Sequence, residues 1–201
     1  SNVGDVLERE INSANDNPIV SIEEQNVFHG GNFHGDYISL EMDKLKLVIT
    51  RLTMLAERQL NYLLNHKIND ILPPFVNMGK LGFNFGMQGA QFMATSTTAE
   101  NQTLSTSMYI HSIPNNNDNQ DIVSMGTNAA VITNKVIINA FEVLAVQAIT
   151  IMQAIDILEQ QDLVSSKTRK IYDDIRAILP AFSQDSVLYP SIKNVKDYLM
   201  K

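Results

Sequence analysis

The sequence predicts an all-α protein, an elongated bundle of long helices with one small β-hairpin near the N-terminus. Two segments, residues 37–66 and 122–160, place apolar side chains alternately four and three positions apart, the spacing of a helix face. Short strand-like runs bounded by turn residues occur only around residues 18–31. Glycine and proline separate the remaining segments at clear positions.

Residues 6–14 read as the end of a helix, stopped by "NDNP" at 15–18, where proline lacks a donor and biases its predecessor away from helix. "PIVSI" and "NVFHGG" then suggest a hairpin with "EEQN" as its turn. Over 37–66 one stripe holds Ile38, Met42, Leu45, Ile49, Leu52, Ala56 and Leu63, with Gln59 as its polar exception; Leu40, Val48 and Leu55 form a second. A helix apolar on more than one face belongs inside a bundle. "LPPF" at 72–75 ends it, a glycine-punctuated stretch covers 79–89, and a further helix is expected over 88–105. In 122–160 one face carries Ile137, Phe141, Leu144, Ala148, Ile151, Ile155 and Leu158, and another carries Ala129, Ile132, Val136, Val143 and Val146. Shorter helices over 166–179 and 190–200 complete the chain, with no internal repeat and no flexible linker.

Both long helices exceed the usual ~11–12 residues, and at ~1.5 Å per residue each spans ~45 Å or more. One chain of 201 residues offers too little apolar surface to cover every face of such rods. The expectation is symmetric association; the alternative is that the covering surface belongs to further sequence of the same polypeptide.

Composition narrows the function classes. With 44% hydrophobic and 18% charged residues and a mean hydropathy of −0.08, the chain can build a core as one domain or as part of a larger one. A formal charge of −7 argues against nucleic-acid binding, which needs a basic face. No run approaches the ~20 uninterrupted apolar residues of a spanning helix, so no membrane helix is expected. The N-terminus shows no signal-peptide pattern. The absence of cysteine excludes disulfides and thiolate chemistry and fits a cytoplasmic protein.

Three polar clusters interrupt the apolar segments: residues 12–18, 29–36 ("HGGNFHGD") and the amide-rich "IPNNNDNQDIVSMG" at 113–126. Two of them precede the two longest helices, whose N-termini favour negative charge, with Asp36 and Asp121 as the expected N-caps. His29, His34 and Asp36 have no metal-site spacing, no serine has a nucleophile-elbow setting, and "GKLGFNFG" is not a phosphate loop. Because "DIVSMG" enters its helix without charged surface residues, the amides are expected to lie against a buried site.

Together "EINSANDNPIV", "GGNFHGD" and "DNQDIVSMGT" resemble the aromatic amino acid ammonia-lyases, the family of histidine, phenylalanine and tyrosine ammonia-lyases and related aminomutases. "GNFHGDYISLEMDKLK", "TMLAERQLNYLLN", "LPPFVN", "LGFNFGMQG" and "HSIPNNNDNQDIVSMGTN" are similar to the tyrosine ammonia-lyase type found in Bacteroidetes. The resemblance covers almost the whole chain and implies that residues 1–201 form the C-terminal part of the catalytic domain. It implies a 4-methylideneimidazole-5-one (MIO) electrophile formed from Ala-Ser-Gly, a tripeptide that does not occur in this sequence, and no metal. The family's catalytic tyrosine and carboxylate-binding arginine also come from upstream regions, so this segment alone is expected to be inactive. The family assembles its active site from several subunits of a homotetramer, which implies that state for the full-length protein.

Residue roles follow from the same resemblance. Asn17 would hold the amino-acid moiety of the substrate, and Phe33 would line the pocket beside the electrophile. Asn119 and Gln120, with Asn116, would contact the substrate; Gln88 and Gln91 would face its side-chain end. Histidine lyases carry "QEDHVSM" where this chain reads "NQDIVSMG", so their glutamate falls at Gln120. An amide there suits a phenol or phenyl ring, and the expected reaction is L-tyrosine to 4-coumarate plus ammonia. Histidine ammonia-lyase, tyrosine 2,3-aminomutase and a non-catalytic helical assembly module are the alternatives.

Overall fold

A computed structural model describes residues 3–201. In chain order its elements are α1 (Val3–Ile11), β1 (Ile19–Ser21), β2 (Asn26–Phe28), α2 (Asp36–Leu64), α3 (His66–Asn69), α4 (Gln88–Leu104), α5 (Gly126–Ile157), α6 (Ser166–Ile178) and α7 (Tyr189–Leu199), with 3-10 turns at Asn32–His34 and Pro74–Val76. The chain divides into two compact units, one built from the chain up to Ile49 with Thr103–Ile137, the other from Thr50–Gln102 with Ile138–Lys201.

In the first unit, β1 and β2 pair antiparallel with Ile19 opposite Phe28 and Ser21 opposite Asn26. Its apolar core joins Val3, Met42 and Ala129, flanked by Leu7, Ile38, Leu45 and Met108. α1 ends at Ile11, short of the expected residue 14. Asn12, Ser13 and Asn15 instead turn their side chains back onto the carbonyls of Glu8, Arg9 and Glu10, satisfying acceptors that a finished helix leaves open.

The second unit holds the larger core, in which Leu60, Leu64, Val76 and Met87 meet Val143, Val146, Ile149 and Ile175. Of the two α5 stripes, the one containing Val143 and Val146 is buried except at the half-buried Ile132, whereas Leu144 on the other is 38% exposed. On α2, Leu52 and Leu55 face outward despite their apolar character. The short α3 was not anticipated from periodicity. Polar groups make it: Asn65 accepts from the Lys67 amide at 3.1 Å, and the buried Asn69 donates to the Tyr62, Leu63 and Asn65 carbonyls and accepts from the Ile71 and Leu72 amides.

By length and composition alone α5 contains a window apolar enough to cross a membrane, although polar residues interrupt it; 61% of that window is buried inside the protein. The buried polar residues Asn139, Gln147, Thr150 and Gln153 on the same helix mark it as the core helix of a bundle. They explain why no unbroken apolar run was visible.

Candidate functional site

All three polar clusters fall in the first unit, and hydrogen bonds join them. The Asn17 Oδ1 accepts from the Gly30 amide at 3.2 Å, tying the "NDNP" loop to the glycines after β2. Asn32–His34 then forms a 3-10 turn, closed by Gly35 at φ 64° with its N–H on the Asn32 carbonyl. Glycine occupies this left-handed position without the Cβ penalty, and α2 starts at the next residue. Phe33 is 39% exposed, its ring centroid 4.2 Å from that of His34 at a tilt of 36°. The Ser124 hydroxyl donates to the His34 carbonyl, joining the second cluster to the end of the third.

The amide segment forms a tight turn closed by reciprocal backbone bonds between Asn115 and Gln120, at 3.0 and 3.3 Å. Asn116, Asn117 and Asp118 all adopt left-handed backbone, at φ 53°, 54° and 62°, and the Asn119 amide donates to the Asn116 carbonyl at 3.2 Å. Asparagine and aspartate tolerate this conformation better than other side-chain-bearing residues. Part of the amide richness is therefore conformational, a signal that single-residue propensity for turns could have revealed. Within this chain Asn116 and Asn119 are exposed and Gln120 is half-buried.

α5 begins at Gly126, not at 122, because Ser124 is bonded to the His34 carbonyl and Met125 is left-handed at φ 53°. Asp121 therefore lies ahead of the helix and does not cap it. Asp36 is the first residue of α2, and its carboxylate accepts from the Tyr109 hydroxyl at 3.1 Å. That bond, with the carboxylate's charge, holds the Tyr109 phenol above its ordinary pKa. Among the described residues no group of three or more His, Asp or Glu could hold a metal, so His29, His34 and Asp36 do not converge.

Gln88 and Gln91 belong to the second unit and line different cavities. Gln88 opens α4 and borders a cavity of about 420 Å³ with Phe85, Met93, Phe182 and Asp185. Asp185 accepts from the Phe85 and Gly86 amides at 2.8 and 3.0 Å, just ahead of that helix. Gln91 borders a second cavity of about 410 Å³ with His66 and Phe75, and donates to the Asn61 side chain at 3.2 Å. Of the seven residues singled out from sequence, five lie in the first unit and these two in the second. Sequence reasoning missed Ser124 and Asp185, whose partners lie 90 and about 100 positions away. It also passed over Asp43 and Lys46, although charged residues inside an apolar helix are a visible signal.

A family model described as aromatic amino acid lyase matches residues 1–177. The chain is 39% identical over 195 residues to the MIO-dependent tyrosine 2,3-aminomutase of Streptomyces globisporus, covering 97% of this chain and 36% of that protein. It is 37% identical over 188 residues to the tyrosine ammonia-lyase of Cupriavidus metallidurans, covering 94% of this chain and 35% of that protein. The solved structure of histidine ammonia-lyase from Trypanosoma cruzi superposes with a TM-score of 0.91 at 29% identity, covering 98% of this chain and 39% of that one. The chain thus spans little more than a third of the length of these proteins.

Proposed function

The chain belongs to the aromatic amino acid lyase family, and from that premise we propose that the full-length protein carrying it eliminates ammonia from L-tyrosine to give 4-coumarate. In that reaction the Cα–N bond breaks, a β-proton is removed and a carbon–carbon double bond forms. The observation that carries the proposal is the gathering of the three polar clusters in one unit, with Gln120, an amide and not a carboxylate, as the half-buried member of the third.

The roles of the chain's own residues follow from their chemistry. With its Oδ1 committed to the Gly30 amide, Asn17 directs its Nδ2 as a donor to the substrate's amino-acid moiety. Asn116, Asn119 and Gln120 each offer donors and acceptors without a net charge. Neutral groups suit a zwitterion leaving water, because an unpaired buried charge costs far more to desolvate than an amide. Phe33 presents a flat aromatic face at the entrance to α2.

The relative from Streptomyces globisporus is named as MIO-dependent, and such an electrophile would activate the amine as a leaving group. The residues present here fit that flat, neutral heterocycle: Phe33 supplies an exposed ring against His34, and the amides supply uncharged donors. The full-length protein is further proposed to be a homotetramer, a reading supported by the outward-facing Leu52, Leu55 and Tyr62 of α2. A second reading, tyrosine 2,3-aminomutase, is favoured by the 39% identity to the Streptomyces protein.

The test is to incubate the full-length protein separately with tyrosine, phenylalanine and histidine and to identify the products. Coumarate from tyrosine is expected. β-Tyrosine as the main product would transfer the assignment to the mutase, and urocanate from histidine would overturn the weight given to Gln120.

A further inference from the structure

We propose that Asp43 and Lys46 are positioning residues that clasp residues 106–109 and thereby present the amide segment to the substrate, an inference that rests on the lyase reading. The two residues lie three positions apart on α2, within the first unit, and their side chains are almost wholly buried. Lys46 Nζ stands 2.7 Å from Asp43 Oδ1 as an ion pair. Each partner also grips the segment that follows α4. Asp43 Oδ2 accepts from the Ser107 hydroxyl at 2.5 Å and the Tyr109 amide at 2.8 Å. Lys46 Nζ donates to the Thr106 carbonyl at 2.6 Å.

A buried ion pair is a poor device for stability alone, because the cost of desolvating both charges offsets their attraction, and apolar substitutes often do as well. What apolar side chains cannot do is fix three closely spaced polar contacts in direction. The pair therefore serves placement: it holds residues 106, 107 and 109 to one turn of α2. Asp36, seven positions before Asp43 and so on the same side of the helix, adds a further hold through the Tyr109 hydroxyl.

The clasped segment leads straight into the site. Ser112 follows, its hydroxyl accepting from the Val123 amide at 2.9 Å, and then the turn closed by Asn115 and Gln120. Residues 106–121 are thus fixed at one end by α2 and at the other by the Ser124–His34 bond. Asn116 and Asn119 are exposed and Gln120 is half-buried, and the turn is closed by bonds among its own backbone groups, so its placement depends on the anchors on either side of it. Burial alone would raise the Asp43 pKa, but hydrogen bonds from Lys46, Ser107 and the Tyr109 and Met108 amides outweigh it and hold the carboxyl below its ordinary value. The Asp43 side of the clasp is therefore ionised at neutral pH.

The experiment uses the full-length protein with Asp43→Asn and, as a milder change that leaves the ion pair intact, Ser107→Ala. Amide hydrogen exchange is read by peptide over residues 106–121 and, as a folding control, over residues 143–153 of α5. Both variants should exchange faster in 106–121 with the control unchanged, and KM for tyrosine should rise about tenfold for Asp43→Asn and less for Ser107→Ala. A merely structural role would lower the active fraction, reducing kcat with KM and the 106–121 exchange unaltered, and that result overturns the inference. Should Asp43→Asn fail to fold, Ser107→Ala decides by the same criteria. If the unaltered protein turns over none of the three amino acids, the lyase reading and the substrate half of this inference both fail; normal turnover with indifferent variants sinks the inference alone.

Discussion

Glu159 sits just beyond α5 at φ 54°, where the Gln160 amide returns to the Ile155 carbonyl and the Glu159 amide to Asp156, both at 3.1 Å. This is the Schellman arrangement, and its left-handed position is one that glycine fills without strain. The left-handed conformation costs a non-glycine residue roughly 1–2 kcal/mol, against ~0.4–1 kcal/mol of added chain entropy for glycine. Glu159→Gly should therefore raise stability by up to about 1.6 kcal/mol, read as a higher denaturation midpoint. Gly79 is the opposite case. A Cβ there would overlap the Ser183 carbonyl oxygen and stand 2.9 Å from Asn84 Nδ2, and backbone cannot yield as a flexible side chain can. Gly79→Ala should destabilise by about 1–3 kcal/mol, visible in a thermal melt. At Gln120 the consequence is functional: a carboxylate should lower kcat/KM for tyrosine about tenfold, or ~1.4 kcal/mol, and improve turnover of histidine. Unchanged selectivity in Gln120→Glu would remove this position from the substrate assignment. The residue types at 120 and 159 are plain in the sequence, and the turn at 159 is a local helix end; the carbonyl over Gly79 belongs to Ser183, a distant segment that no local pattern pairs with it.

Single elements were legible wherever their cause is local. α2, α4, α6 and α7 lie within a few residues of the spans read from periodicity, because 3.6-residue spacing and the Gly and Pro breaks act over one or two turns. The start of α5 was misplaced because its determinant is a bond from Ser124 to a carbonyl 90 residues earlier. Polar groups also fix how the helices of the second unit meet. Asn139 on α5 donates to Glu100 at 2.6 Å and to Asn101 at 3.0 Å on α4, and Asn101 reaches Thr53 on α2 at 3.4 Å. Removing a buried amide from such a network costs roughly 1–3 kcal/mol, so Asn139→Ala should melt correspondingly earlier. In the first unit the hold of α2 on residues 106–109 carries a pH signature. The folded pKa of Asp43 is depressed below 3.8, so the stabilisation is complete above that value and is lost as pH falls through the lower folded one. Exchange protection of residues 106–109, corrected for intrinsic rates, should be flat around neutrality and collapse only in acid; a loss already near neutrality would contradict the assignment.

At the scale of the molecule, α2 leaves Leu52, Leu55 and Tyr62 about half exposed, an apolar row that a single chain does not cover. If the full-length protein associates through this face, Leu55→Glu should shift it to smaller species in sedimentation velocity without unfolding the monomer; an unchanged distribution would place the contact elsewhere. By itself the sequence determined the all-α class, the hairpin, the family and the three polar clusters that define the candidate site. Each of these is written in local spacing or in short motifs. The tertiary structure alone decided which apolar stripe of α5 became core, that five of the seven site residues share one unit while Gln88 and Gln91 lie in the other, and that Asp43 and Lys46 hold the chain before the amides. The reason is physical: periodicity is a property of a few consecutive residues, whereas a buried ion pair and the groups it grips, some 60 residues away, exist only once packing has excluded water from both.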